Sequence, residues 1–320
     1  NIATCDMSVR VLDEVSPVAI CDGSTTVSLR SNGTAKAFAH TFDDGSYDDC
    51  ALYKFLTKRV NSNCDCNRPV FDDMTYLGDR NGRLYYISNH KTNAFRAFAY
   101  SNAFGGMILR EESCEEKDWV YEQVNRVNSG ATYYVGISDD GHQGRFTFTN
   151  HADVGCDAFL DPTPADTGDN VIVDADGNYV IVDGNTIETF YVVELSDPCG
   201  FSDEVLFCCE DLGDQMVVFR VVDLFGNFNE CMVNVNVQDK IAPQLSCPVD
   251  MTVDCDLAYD ITNLNVAFGS ATVLSDCGNV QPVENLDNQT NQCNIGRLIR
   301  VFTATDNGGL TSSCKQIVTF

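Results

Sequence analysis

Apolar residues alternate with polar ones over several short stretches, which is the signature of strands that bury one face. In Met232-Val233-Asn234-Val235-Asn236-Val237 the valines fall on one face and the asparagines on the other. Val217-Val218-Phe219-Arg220-Val221-Val222 and Leu298-Ile299-Arg300-Val301-Phe302 show the same period less strictly. Both runs are bounded by turn residues, Leu224-Phe225-Gly226-Asn227 and Asp306-Asn307-Gly308-Gly309. Elsewhere the pattern changes. Tyr133 to Ile137 is unbroken and predicts a strand buried on both faces, whereas Trp119, Val120, Val124 and Val127 recur at helical spacing. The fold predicted is mainly β, with helix confined to the middle of the chain.

The strand pattern recurs at long range. Residues 1–21 align without a gap on 227–247, matching Asn1 with Asn227, Cys5 with Cys231, Asp13 with Asp239, Pro17 with Pro243 and Cys21 with Cys247. A third copy ends the chain, with Phe302, Asp306, Gly309, Cys314 and Val318 in the places of Phe219, Asp223, Gly226, Cys231 and Val235. Such self-similarity predicts tandem small domains joined at Asp-x-x-x-Pro. Residues 1–14 then read as the final strand of a preceding domain. Either the chain is cut from a longer protein or this strand pairs with a neighbouring subunit, since a lone strand leaves N–H and C=O groups unpaired.

Cysteine spacing gives the domain plan. Asp-Cys50 matches Asp-Cys277, and the cysteines that precede Gly213 and Gly296, Cys209 and Cys293, stand before matching strands. Cys21, Cys50, Cys209 and Cys231 thus correspond to Cys247, Cys277, Cys293 and Cys314 as a shared disulfide framework. The interval from Cys50 to Cys209 is about ten times that from Cys277 to Cys293, so a large insertion lies inside the first domain. The boundaries read as 15–75 with 197–239 for the split domain, 76–196 for the insertion and 240–320 for the second domain. At about 80 residues such a domain has a marginal core, and disulfides, typically worth about 2–4 kcal/mol each, supply the difference.

Composition narrows the function. Sixteen cysteines in 320 residues point to an oxidising, extracellular location. No zinc spacing competes, because Cys64-Asp-Cys66 and Cys208-Cys209 are too close for a two-ligand knuckle. A formal charge of −27 excludes nucleic acid and anionic membranes as partners and favours Ca²⁺ as a counter-ion. No apolar run reaches membrane-spanning length and no signal sequence is present, which implies a mature secreted product.

Two resemblances follow. Pro243-x-x-x-Cys247, Asp-Cys277 and Phe-x-x-x-Asp-x-x-Gly-Asn-x-x-x-Cys231 before a Val-rich strand resemble the hyalin-repeat (HYR) branch of immunoglobulin-like domains, found in large extracellular adhesion and surface proteins, bacterial ones among them. The insertion is similar to a C-type lectin-like domain. Asn81-Gly-Arg-Leu-Tyr-Tyr-Ile-Ser88, Phe95 to Ala99, Gly105-Gly-Met-Ile108 and the segment from Cys114 follow that family's order. Tyr134-Val-Gly-Ile137 stands for its Trp-Ile-Gly-Leu strand, Gly144-Arg-Phe-Thr-Phe148 for the next element and Phe190 to Leu195 for the closing strand. The fold implied is tandem immunoglobulin-like β-sandwiches with an α+β lectin-like insertion.

Sugar-binding members of that family hold Ca²⁺ through Glu-Pro-Asn or Gln-Pro-Asp and a later Trp-Asn-Asp; this chain has Asp161-Pro162-Thr163 and Asp176-Gly177-Asn178-Tyr179. The candidate calcium or ligand residues are therefore Asp161, Thr163, Asp166, Asp169, Asn170 and Asp174, set against an ordinary acidic loop. Asp43, Asp44, Asp48 and Asp49 form a second acidic loop. The joint residues Asp13 and Asp239 read either as cation bridges or as turn formers before proline. Asn32 and Asn288 begin glycosylation sequons.

No catalytic pattern is found: His40, His90, His142 and His151 form no metal motif, and no nucleophile elbow or phosphate loop is present. Cys64, Cys66, Cys114, Cys156, Cys199 and Cys208 can pair among themselves, leaving Cys5 and Cys255 as candidates for links between subunits. The sequence reads as a non-enzymatic structural or adhesive protein of a cell-surface filament. Its lectin-like insertion would project sideways as a recognition or lattice-contact head, with other copies of itself, glycans or surface proteins as partners and no cofactor required. The alternative is a Ca²⁺-dependent carbohydrate-binding adhesin.

Overall fold

The computed structural model describes residues 12–61, 64, 66, 68–138, 147–148, 169–275, 277, 280–291 and 295–320. The first frame opens with β1 (Ser24–Ser28), β2 (Thr34–Phe38) and β3 (Leu52–Arg59). An inserted unit follows, with β4 (Met74–Arg80), β5 (Arg83–Ser88), α1 (Ala94–Ala103), β6 (Met107–Ile108), α2 (Cys114–Val127) and β7 (Tyr133–Ser138). It ends with β8 (Thr147–Phe148), β9 (Asp169–Val173), β10 (Tyr179–Asp183) and β11 (Phe190–Leu195). The first frame is completed by β12 (Glu204–Cys208), β13 (Gly213–Asp223) and β14 (Phe228–Gln238). A second frame then runs through β15 (Gln244–Ser246), β16 (Met251–Thr252), α3 (Leu264–Phe268), β17 (Thr272–Ser275), β18 (Val283–Asn288), β19 (Arg297–Thr305) and β20 (Thr311–Thr319).

Both frames have the same strand order. In the first it is β1-β14-β13-β3, with β1 parallel to β14 and the other pairs antiparallel. In the second it is β16-β20-β19-β18 with the same senses. The register agrees too, since Phe219 faces Cys231 and Phe302 faces Cys314. The β2–β12 pair packs on the first sheet in one core, with the bridges Val18–Tyr47 and Cys21–Asp43 beside it; the second frame has a further β15–β17 pair. Disulfides Cys21–Cys231 and Cys247–Cys314 tie corresponding points.

The alternating valines do what the pattern requires: Val217, Phe219, Val221, Val233, Val235 and Val237 are buried against Phe42 and Phe207. The second core is smaller, with Leu298, Val318, Leu264 and Phe268 at its centre. A fully buried Arg300 supplements it by bonding Glu284, Asn265, Gln316 and the Gly269 carbonyl at 2.6–3.0 Å. Such a satisfied network fixes the packing that a small apolar core leaves loose.

The inserted unit is built on the sheet β10-β9-β7-β11-β5-β4, in which β11 runs parallel to β7 and antiparallel to β5. Helix α1 starts because the Asn93 side chain accepts from the Arg96 N–H at 3.0 Å, and α2 because Ser113 accepts from Glu116 at 3.2 Å. Val120 and Val124 of α2 are buried as its spacing predicts, while Val127 in the last turn is 48% exposed.

The inserted unit is seated on the first frame through α1. Ala94, Ala97 and Tyr100 of α1 share one core with Leu56 of β3 and Val222 of β13. Arg220 donates to the Ala103 carbonyl at 2.6 Å, and the Tyr100 hydroxyl donates to the Leu224 carbonyl at 2.7 Å. This docking explains the imperfect alternation of β13: the last part of that strand is covered on one face by its own frame and on the other by the insertion. Gly226 (φ +84°) lies so close beneath α1 that an added Cβ would stand 2.9 Å from the Ala99 carbonyl carbon.

The root of the insertion is stapled by Cys64–Cys208 and Cys66–Cys199 and by a Lys58–Asp197 pair at 2.7 Å. Cys114 is also disulfide-bonded. The shared cysteine framework needs a second correction. Cys50 is unbonded and exposed, and Cys209 bonds Cys277 across the joint between the frames. Equivalent positions in a repeat show which cysteines correspond; they do not distinguish a bond within a repeat from one between repeats. Cys5, Cys156 and Cys293 lie outside the described residues.

Candidate functional site

Where the insertion leaves the frame, β3 places Lys54 among three carboxylates. Its Nζ pairs with Asp72, with Asp73 at 2.7 Å and with both oxygens of Asp203 at 3.0 Å. Asp72 and Asp73 precede β4 and Asp203 precedes β12, so the cluster joins both ends of the insertion to the frame. Asp203 also accepts from the Asp72 N–H at 2.7 Å, and the Tyr53 hydroxyl donates to Asp73. Burial pushes the Asp203 carboxyl up to about 7, outweighing the attraction of Lys54. Lys54 itself is held above its ordinary value: burial pulls it down, and Asp73 and Asp203 more than offset this. The cluster opens on a cleft of about 710 Å³ walled by Phe38, His40, Tyr53 and Glu204. Three carboxylates this close form a candidate cation site, but the ammonium of Lys54 already sits among them. The arrangement can hold charge, brace the root and offer an aromatic and acidic wall to a polar ligand.

The residues proposed from sequence are dispersed. Asp161, Thr163 and Asp166 lie outside the described residues, as does the side chain of Asp169. Asn170 is buried on β9, where a Cβ on Gly184 would strike its amide, so it faces the interior. Asp174 is an Asx-turn residue: its Oδ1 accepts from Asp176 at 2.9 Å and Asn178 at 2.8 Å, and those N–H groups hold its carboxyl below the usual range despite partial desolvation. At the acidic loop, Asp43 accepts from Ser46 at 2.9 Å, whereas Asp44 and Asp49 are exposed. Asp48 accepts from Cys50 and Ala51 at 2.9 and 3.1 Å and groups with Asp13 and Cys50. Asp13 and Asp239 each accept at 3.0 Å from the N–H two residues on, Val15 and Ile241, the turn-forming role. Cys255 is exposed and unbonded.

Two features were missed by sequence reasoning. The Lys54 cluster joins residues up to 149 positions apart, and its local signals were only the pairs Asp72-Asp73 and Asp203-Glu204. The second is a buried polar group beneath β10. Glu111 is fully buried and pushed up to about 7 by burial; Tyr179 donates to one of its oxygens, while the other oxygen and the Tyr133 hydroxyl have no partner among the described residues. Of the acidic and cysteine clusters among the described residues, that of Cys64, Cys208 and Asp211 is no metal centre, because both sulfurs are in one disulfide and Asp211 pairs with Arg59. Five disulfides among the described residues fit an oxidising, extracellular setting. No described helix is long and apolar enough to cross a membrane.

No family model matches the chain, and no curated protein matches it in sequence. Among solved structures it is similar to the carbohydrate-recognition domain of the human scavenger receptor C-type lectin, at 11% identity and TM-score 0.33, covering 39% of this chain and 96% of that one. It is also similar to SPL-1 in complex with GlcNAc, at 13% identity and TM-score 0.34, covering 42% and 96%. A third similar structure is the cow C-type carbohydrate-recognition domain of CD23, determined in the presence of a GlcNAc2Man3 oligosaccharide, at 18% identity and TM-score 0.34, covering 41% and 99%.

Proposed function

We propose that this chain is a non-enzymatic, secreted recognition protein in which a lectin-like unit, held rigidly on immunoglobulin-like frames, binds carbohydrate. The observation that supports this reading most is the inserted unit's own architecture. β5, α2, β7 and β11 fall where the lectin-like resemblance in the sequence puts its elements, and they build one sheet with a parallel β7–β11 pair flanked by two helices. Docking on the frame gives the unit a fixed orientation, which reduces the ordering that ligand capture would otherwise require. Ca²⁺ enters through Asp161 and Thr163 in this reading. A glycan array run with and without chelator tests it: calcium-sensitive binding lost in Asp161→Ala supports a Ca²⁺-dependent lectin. Binding that survives both chelator and substitution assigns the sugar to another face, and no binding to any glycan overturns the proposal.

A second reading, in which the chain is part of a tandem array that builds a surface fibre, is favoured by the Cys209–Cys277 disulfide. That bond ties one frame to the next and would stiffen a rod of such frames. Electron microscopy of the native material tests it, with ordered filaments expected and dispersed single particles refuting it.

A further inference from the structure

Cys277 occupies a defined place at the second joint. It is 95% buried, packed into the core of the preceding frame and bonded to Cys209 beside the β1–β2 turn, where a Cβ on Gly33 would stand 2.8 Å from the Cys209 sulfur. It lines the joint cleft of about 420 Å³ together with Asp239 and Lys240. Every part of this arrangement that belongs to the second frame has a counterpart in the first. Cys50 precedes β3 as Cys277 precedes β18, and those are the corresponding edge strands of identical sheets. Asp13 forms the same turn as Asp239 and its carboxylate lies within 4.8 Å of the Cys50 sulfur, while Cys277 and Asp239 line one cleft at the second joint. One component differs. At the first joint the cysteine is exposed and in no disulfide.

We propose that Cys50 is the receiving thiol of an inter-repeat disulfide, made with a cysteine in the Cys209 position of a preceding repeat. The inference rests on the tandem-array reading and is independent of sugar binding. The partner is recognised by its place, a few residues before the glycine that opens the long hairpin. Cys209 stands four residues before Gly213, and Cys293 stands three before Gly296. Two sources carry that chemistry: Cys293 of a second copy of this chain, or an upstream repeat in the same polypeptide.

The bond forms by exchange with an oxidising disulfide such as glutathione disulfide. The partner thiolate attacks the oxidant and releases one of its thiols. The Cys50 thiolate then attacks the partner's sulfur in the mixed disulfide, breaks its bond to the oxidant and releases the second thiol. Two protein thiols are oxidised, one small disulfide is reduced to two thiols, and both protons pass to the oxidant's sulfurs.

The test is peptide mapping without reduction, after alkylation of free thiols. It is made on native material and on the full chain equilibrated in a buffer of reduced and oxidised glutathione. A Cys50 peptide joined to the Cys293 peptide identifies a second copy. A Cys50 peptide joined in native material to a cysteine absent from this sequence, again a few residues before a glycine, identifies an upstream repeat. In the full chain, Cys50→Ser should abolish any linked species while Cys255→Ser retains it, with Trp119 fluorescence confirming that both variants are folded. Recovery of alkylated Cys50 from both preparations overturns the proposal, as does linkage of Cys50 to Cys255. Filaments that form with Cys50 alkylated would leave the array reading standing and remove only the disulfide.

Discussion

Gly226 and Gly309 provide a controlled test of how firmly the inserted unit is seated. Both occupy the same turn of corresponding hairpins and both have φ +84°. An alanine at either site therefore meets the same left-handed strain, about 1–2 kcal/mol. Around Gly309 nothing lies within 4 Å of an added Cβ, whereas at Gly226 that atom is driven into the backbone of α1 at Ala99. The additional overlap should cost about 1–3 kcal/mol, as overpacking of a well-packed site does. The excess falls on the contact between frame and insertion. Hydrogen–deuterium exchange read by mass spectrometry should accordingly show peptides covering 94–103 exchanging roughly five- to a hundredfold faster in Gly226→Ala. Gly309→Ala should leave those peptides unchanged and affect only the second frame. Equal and local losses in the two variants would show that α1 does not bear on the turn, and the rigid seating argued above would fail.

Glu111→Gln should remove a pH slope. The buried carboxyl titrates at about 7 against 4.5 when unfolded, so its contribution is fully present below pH 4.5 and declines as pH rises towards 7, by about 3 kcal/mol in all. The amide has no such titration. The variant's stability relative to the natural chain, followed by denaturant unfolding through Trp119 fluorescence, should therefore rise across that interval, and parallel pH profiles would refute the assignment. Lys54→Met leaves Asp72, Asp73 and Asp203 without their cation. A loss of about 3–5 kcal/mol is expected near pH 8, shrinking at pH 5 as the Asp203 carboxyl, pushed up to about 7 by burial, takes up a proton. A loss independent of pH would count against a charge cluster.

Much of the frame was legible in the residues. The alternation in Val233, Val235 and Val237 set the inward face of β14, and matching Phe219 with Phe302 and Cys231 with Cys314 anticipated the common register. The spacing of Val120 and Val124 located α2, and the apolar run from Tyr133 located β7. What stayed hidden depends on contacts between distant segments. Nothing local to Ala94, Ala97 and Tyr100 says that their partners are Leu56 and Val222. The pairing of Cys209 with Cys277 is a choice between neighbours that only tertiary geometry settles. Asp174, drawn from sequence as an oxygen donor, shows the limit on single residues: a carboxylate in Asp-x-Asp-Gly serves a turn as readily as a cation.

The Cys21–Cys231 bridge has a mechanical consequence. A pull applied to the chain on the two sides of the first frame enters near Cys21, crosses that bridge and leaves through β14 towards Pro243. The 209 residues between the two cysteines lie off this shortest covalent path, tied to the second frame only through Cys209–Cys277. Fully drawn out they would span about 700 Å, and the covalent shortcut withholds all of it. While the bridge is oxidised, neither partial unfolding of the first frame nor complete loss of the inserted unit can lengthen the tether. Reduction of the bridges would turn an almost inextensible link into an elastic one, and the inserted unit would yield together with the frame that holds it.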